Sequence, residues 1–282
     1  MRAHPSLRVV VMANTESERK LLCRLGVEAR YIPQNMFIDE SMYHPRPDIE
    51  RSYDAIYNAQ LAPFKRHYLA RTIPSCAYIT KLFSHFPAEH KRASIAKFLG
   101  ELPRGHTVLN DIADGDVRLM DHLQVNRALA GAHVGLCLSK VEGAMYASAE
   151  YLLAGLPVVS TPSAGGRDAF FHPDTCLIVD APRAVQDGVA AMKAPNLPPD
   201  YVRSVTIGFI DQQRDAFNRF IDALRGRAAQ TSDRRWSFAY HHKLSQFGSL
   251  SDFDASSPMS AAPIRLAPRA GGRATERRTV RR

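Results

Sequence analysis

The chain has 282 residues, 45% of them hydrophobic and 23% charged, which suits one large soluble domain or two small ones and excludes a fibrous or wholly disordered chain. Its net charge of +9 gathers near the C-terminus, where ten Lys or Arg face four acids between Thr231 and Arg282; the basicity belongs to a tail, and no basic folded face for nucleic acid is expected. No stretch is apolar for the roughly 20 residues that cross a bilayer.

LRVVVMA (Leu7–Ala13) reads as a buried strand. Thr15–Gly26 follows as a helix, with Thr15 capping, Glu18 three residues on, and Gly26 closing it. EARYIPQN is a short strand, and the polar Asp39–Ser52, which contains prolines, is a linker. From Tyr53 the alternation becomes regular. YDAIYNA is a strand and RHYLARTI a helix; CAYIT is a strand and Ala88–Gly100 a helix; HTVLN is a strand and Val117–Ala132 an amphipathic helix. HVGLCLS is a buried strand before the helix Ala144–Gly155, and LPVVST and TCLIVD are strands before the helix Ala181–Lys193. Pro198–Leu224 is a long terminal helix, and disorder is expected for residues 229–282.

Strands spaced by helices in this way predict an α/β fold, a doubly wound parallel sheet with right-handed crossovers. Ligands in such sheets sit beyond the carboxyl ends of the strands, so the loops after the strands are the ones to read. The cysteines, Cys23, Cys76, Cys137 and Cys176, lack metal-ligand spacing and read as small buried apolar side chains in a reducing, cytoplasmic setting. No metal site is proposed.

The loop after HVGLCLS runs S-K-V-E-G-A-M-Y-A-S-A-E, then YLLAGLPVVSTPSAGGRDAFF. Glu142 falls in the loop and Glu150 about two turns into the helix. Gly143 allows close approach of a ligand, and the amides around Gly143, Ala144 and Met145 open a helix, a place suited to phosphate. Two glutamates at this spacing also occur as ordinary capping or solvated residues. The buried strand before them and the AGLPVVST and Gly165–Gly166 segments after them favour the functional reading.

That signature resembles the donor-binding element of retaining GT-B glycosyltransferases, particularly glycosyltransferase family 4, over Tyr53–Met192. The resemblance implies that Glu142 contacts donor-sugar hydroxyls, Glu150 the nucleotide ribose, and the helix-opening amides the diphosphate of a nucleotide sugar, with no cofactor or metal. It also implies a basic element after the first strand of this domain, here YNAQLAPFKRH. Lys65 matches the expected lysine, Arg66 takes the usual glycine position, and Gln60 stands where an arginine is expected. Lys65 is assigned to the leaving group and Arg66 to a second cation; the alternative is a solvated basic helix start. Gly165 and Gly166 complete the expected donor loop.

By the same resemblance, residues 1–48 are the last strand–helix–strand of an N-terminal domain with its linker, residues 49–196 the nucleotide-sugar-binding domain and residues 197–228 a C-terminal helix. The acceptor half is then missing from the sequence, supplied by a separate chain, or unnecessary in a module that binds nucleotide sugar without transferring it. The acceptor itself is not legible. A dinucleotide site is disfavoured, since no G-x-G-x-x-G follows the early strands.

Overall fold

A parallel strand covered on both faces must be apolar almost throughout, and the runs of that kind form the middle of one sheet. The computed structural model describes residues 9–180 and 182–225, so the expected disordered tail lies outside the described residues.

Strand β1 (Val11–Ala13) leads through helix α1 (Glu16–Arg24) to strand β2 (Ala29–Tyr31), and the two strands pair in parallel with Val11 opposite Ala29. The Thr15 hydroxyl accepts from the Glu18 amide at 3.0 Å, and the Glu18 carboxylate reaches back to the Asn14 amide at 2.8 Å, so the first turn is closed from both sides. Helix α1 buries none of its side chains, which leaves Cys23 exposed; this corrects the expectation of four buried cysteines, and the other three are buried.

The main sheet starts with β3 (Tyr53–Asn58) and β4 (Cys76–Ile79), and after helix α2 (Ala88–Gly100) continues to β5 (His106–Val108). A small hairpin, β6 (Ile112–Ala113) with β7 (Asp116–Val117), and helix α3 (His122–Ala130) carry the chain back to β8 (Ala132–Cys137). Helix α4 (Tyr146–Leu153), β9 (Val158–Ser160), β10 (Cys176–Ile178) and helix α5 (Pro182–Lys193) follow, then helix α6 (Pro199–Arg225). The strand order is β10-β9-β8-β3-β4-β5, every neighbouring pair parallel. The chain therefore moves outward from β3 to one edge and returns to β8 to build the other. Crossovers leaving in opposite directions open a crevice at the carboxyl ends of β3 and β8.

The core lies along these two strands, with Ile56, Tyr57, Val134 and Leu136 fully buried. Gly135 in β8 is required by packing, because a Cβ there would overlap the Tyr151 ring of α4. That close approach lets the Tyr151 hydroxyl accept from the Asn58 amide at 2.6 Å, tying α4 to the end of β3.

Two predicted helices differ from the structure. RHYLARTI (66–73) forms a single 3₁₀ turn, His67–Ala70, which follows another at Pro63–Lys65, with Arg66 between them in the left-handed region at φ 53°. The Tyr57 hydroxyl donates to the Lys65 carbonyl at 2.5 Å and takes that acceptor away from any helical ladder. The segment expected as a helix from Val117 becomes one only at His122, where Asp121 accepts from the Gln124 amide at 2.8 Å and Gln124 accepts from the Asp121 amide at 2.9 Å. That capping box outweighs the apolar periodicity before it.

Compact packing divides the described residues into two units, one of residues 9–36 with 40–211, the other of Phe37–Asp39 with residues 212–225. Within the second, the Phe37 and Phe217 rings meet edge to face at 5.3 Å and Arg214 donates to the Ile38 carbonyl at 2.6 Å. Among the described residues no helix is long and apolar enough to cross a membrane.

Candidate functional site

The loops after β8 and β9 run side by side. The Glu142 amide donates to the Ala164 carbonyl at 2.9 Å, the Ala164 amide to Lys140 at 3.1 Å and the Gly166 amide to Gly143 at 3.1 Å. This pairing fixes the backbone of Glu142 beyond the end of β8. Lys65 comes from the turn after β3, which is held by the Tyr57 hydroxyl and by the Lys140 amide donating to the Phe64 carbonyl at 3.2 Å. The Lys65 ammonium and the Glu142 carboxylate form an ion pair, their side chains only 12% and 13% exposed. A cation and an anion thus meet beyond the carboxyl ends of β3 and β8.

Glu150 lies on α4, one side chain along the same edge. Its Oε2 accepts from the Asn58 side-chain amide at 2.9 Å, and its Oε1 accepts from the Tyr43 hydroxyl at 3.1 Å. Tyr43 is 3% exposed and meets His122 Nδ1 at 2.7 Å. Burial first, and then the Glu150 charge, push the Tyr43 pKa far above its ordinary value, so the hydroxyl keeps its proton. The linker bearing Tyr43 is pinned by Arg203 of α6, which donates to the Leu153 and Glu40 carbonyls at 2.9 Å each and to the Tyr43 carbonyl.

Helix α4 has Met145 as its N-cap, without a side-chain cap. Gly143 and Ala144 therefore belong to the loop, while Met145 is buried, its carbonyl accepting from Asn35 Nδ2 at 3.1 Å and Ser148 Oγ at 2.7 Å. A Cβ on Gly143 would make only an ordinary contact, with Asn14 Nδ2 at 3.8 Å. Gly165, at φ 122°, and Gly166 differ from it. A Cβ on Gly165 would overlap the Glu142 carbonyl, and one on Gly166 the Asn14 carbonyl, so protein backbone accounts for both glycines. Arg66 turns its guanidinium into the strand ends, donating to the Leu138 carbonyl and to Thr161 Oγ1, each at 2.6 Å. Arg167 does likewise from 1% exposure, bonding Ser139 at 2.7 Å, Ser160 Oγ at 3.0 Å and the Thr161 carbonyl, and burial lowers its pKa.

The structure brings Lys65, Glu142, Glu150 and Gly143 to one edge, and it directs Arg66, Gly165 and Gly166 into the scaffold of the loops. Sequence reasoning missed Asn58, Tyr43 and Arg203. Asn58 ends an apolar strand with a polar residue, a readable signal; Tyr43 sits in a linker with none.

No known family profile and no curated protein sequence matches the chain. Solved structures match it in shape. Sucrose-phosphate synthase of Thermosynechococcus elongatus does so with a TM-score of 0.54 at 16% identity, over 79% of this chain and 59% of that one. HepE of Anabaena, solved in complex with UDP, matches at 0.55 and 12% identity over 75% and 61%. AviGT4, a glycosyltransferase involved in avilamycin A biosynthesis, matches at 0.52 and 17% identity over 76% and 63%. The fold is that of the GT-B glycosyltransferases. At these identities the likeness to GT-B enzymes is one of fold, and the chain spans about three-fifths of the length of these structures.

Proposed function

We propose that the chain binds a nucleoside-diphosphate sugar in the crevice between the ends of β3 and β8, as the donor-binding part of a glycosyltransferase that retains anomeric configuration. The observation that carries this reading is the convergence of Lys65, Glu142 and Glu150 on that edge, beside the N-terminus of α4. Glu150 offers its carboxylate to the ribose and Glu142 to the sugar hydroxyls. Lys65 and the amides from Gly143 through Met145 receive the diphosphate. Sugar transfer builds negative charge on the departing diphosphate, and donors fixed in advance stabilise that charge most in the transition state, each worth on the order of 3 kcal/mol. Arg66, Gly165 and Gly166 act by shaping the loops.

HepE in complex with UDP-glucose makes uridine diphosphates the first ligands to try. The test is a thermal-shift panel of UDP, GDP and ADP with their sugars, on the chain and on Glu150→Ala and Lys65→Ala. A ligand at a hundred times its Kd adds about 2.7 kcal/mol of stability, enough to raise the melting temperature by a few degrees. Absence of any shift, or a shift kept in full by Glu150→Ala, overturns the reading.

A second reading, a module that binds the nucleotide sugar without transferring it, rests on the basic loop. Gln60 is neutral and Arg66 is bonded to strand ends, so Lys65 alone of these three faces Glu142. Binding without turnover in the presence of candidate acceptors identifies this case.

A further inference from the structure

We infer that Tyr43 is a positioning residue that fixes the Glu150 carboxylate for a ribose diol, so that the crevice selects ribonucleoside over 2′-deoxyribonucleoside diphosphates. The inference rests on the proposed role of Glu150 and goes beyond it, because recognition of two adjacent hydroxyls demands a carboxylate that cannot rotate.

Three observations carry it. The two carboxylate oxygens are held from opposite elements, Oε2 by Asn58 at the end of β3 and Oε1 by Tyr43 from the linker. A hydrogen bond to each oxygen from a different element fixes the plane of the carboxylate, whose two oxygens together offer about four acceptor positions. Next, the Tyr43 hydroxyl has a single proton, and donation to Glu150 obliges it to accept from His122. His122 must then carry hydrogen on Nδ1, which orients the hydroxyl and keeps its proton on the Glu150 side. Finally, Tyr43 cannot drift: it is almost wholly buried, its ring meets His122 edge to face at 5.8 Å, and Arg203 grips its carbonyl together with those of Glu40 and Leu153. A linker residue is built into the site by bonds from three elements.

The experiment measures Kd by calorimetry for UDP, GDP and ADP and their 2′-deoxy counterparts, on the full chain and on Tyr43→Phe, Asn58→Ala and Glu150→Ala. Tyr43→Phe keeps the ring and removes only the hydroxyl. The chain should prefer the ribonucleotide by roughly tenfold, the effect of one hydrogen bond to a charged group. Tyr43→Phe and Asn58→Ala should each cut that preference to about threefold or less, while their ligand-free melting temperatures stay within a few degrees of the parent. A merely structural Tyr43 would lower stability or weaken both nucleotides alike, leaving their ratio unchanged. A full preference in Tyr43→Phe, with Glu150→Ala abolishing it, overturns this inference and leaves the donor-site reading standing. A preference untouched by Glu150→Ala, or no binding of any pair, overturns both.

Discussion

Lys65 and Glu142, 77 positions apart in the chain, meet as a mostly buried ion pair where the strand order of the sheet reverses. The pair places the cation proposed for the diphosphate under the control of the carboxylate proposed for the sugar.

Breaking that pair from its two sides should have opposite effects on the nucleotide. Glu142→Gln frees the ammonium, so UDP should bind more tightly, while the added affinity from an attached sugar falls. Lys65→Ala leaves a carboxylate alone in a largely dry place and should cost on the order of 3 kcal/mol of stability, along with most UDP affinity. Urea denaturation and calorimetry on the two variants check both; equal losses of UDP binding in both would contradict the arrangement.

The loop glycines should separate by role. Gly165→Ala meets both a left-handed backbone and the Glu142 carbonyl, so a loss of about 2 kcal/mol or more is expected. Gly143→Ala adds only an ordinary contact with Asn14 and should leave the melting temperature nearly unchanged while weakening diphosphate binding. Thermal melts with and without UDP distinguish them.

His67 should make stability depend on pH. Burial, its leading cause, together with the Lys65 charge lowers the ring's pKa from 6.5 to about 4, against a backbone hydrogen bond to Ala59 that raises it. The unfolded chain takes up its proton first as pH falls. The stability tied to the neutral ring is therefore complete above pH 6.5 and is lost as pH drops through 4, by roughly 3 kcal/mol. His67→Phe should flatten urea midpoints across that window relative to the parent; parallel curves would refute the assignment.

Arg167 holds three oxygens at the ends of β8 and β9. Arg167→Met fills similar space and strands those acceptors, so a loss of about 3 kcal/mol is expected. Chemical denaturation measures it, and a loss below about 1 kcal/mol would show that solvent replaces the guanidinium.

Much of this fold was legible locally. The apolar runs from Tyr53 onward became the strands of one parallel sheet, and Thr15 with Glu18 fixed the start of α1 because a cap needs only neighbouring residues. The failures share a cause. RHYLARTI has helical composition, yet the Lys65 carbonyl just before it is claimed by Tyr57 and its own Arg66 side chain by Leu138 and Thr161, partners the local pattern cannot reveal. Cys23 has apolar neighbours in sequence, but the helix carrying it buries none of its side chains.

The sequence alone determined the succession of strands and helices and the residue types of the loop after β8, because periodicity, capping and glycine placement act over a few residues. Only the tertiary structure decided which charges meet. Lys65 was matched with Glu142, Glu150 was clamped between Asn58 and Tyr43, and Arg66 was withdrawn into the strand ends. These choices depend on strand order and on the course of a linker, which bring together side chains that nothing in the local pattern connects.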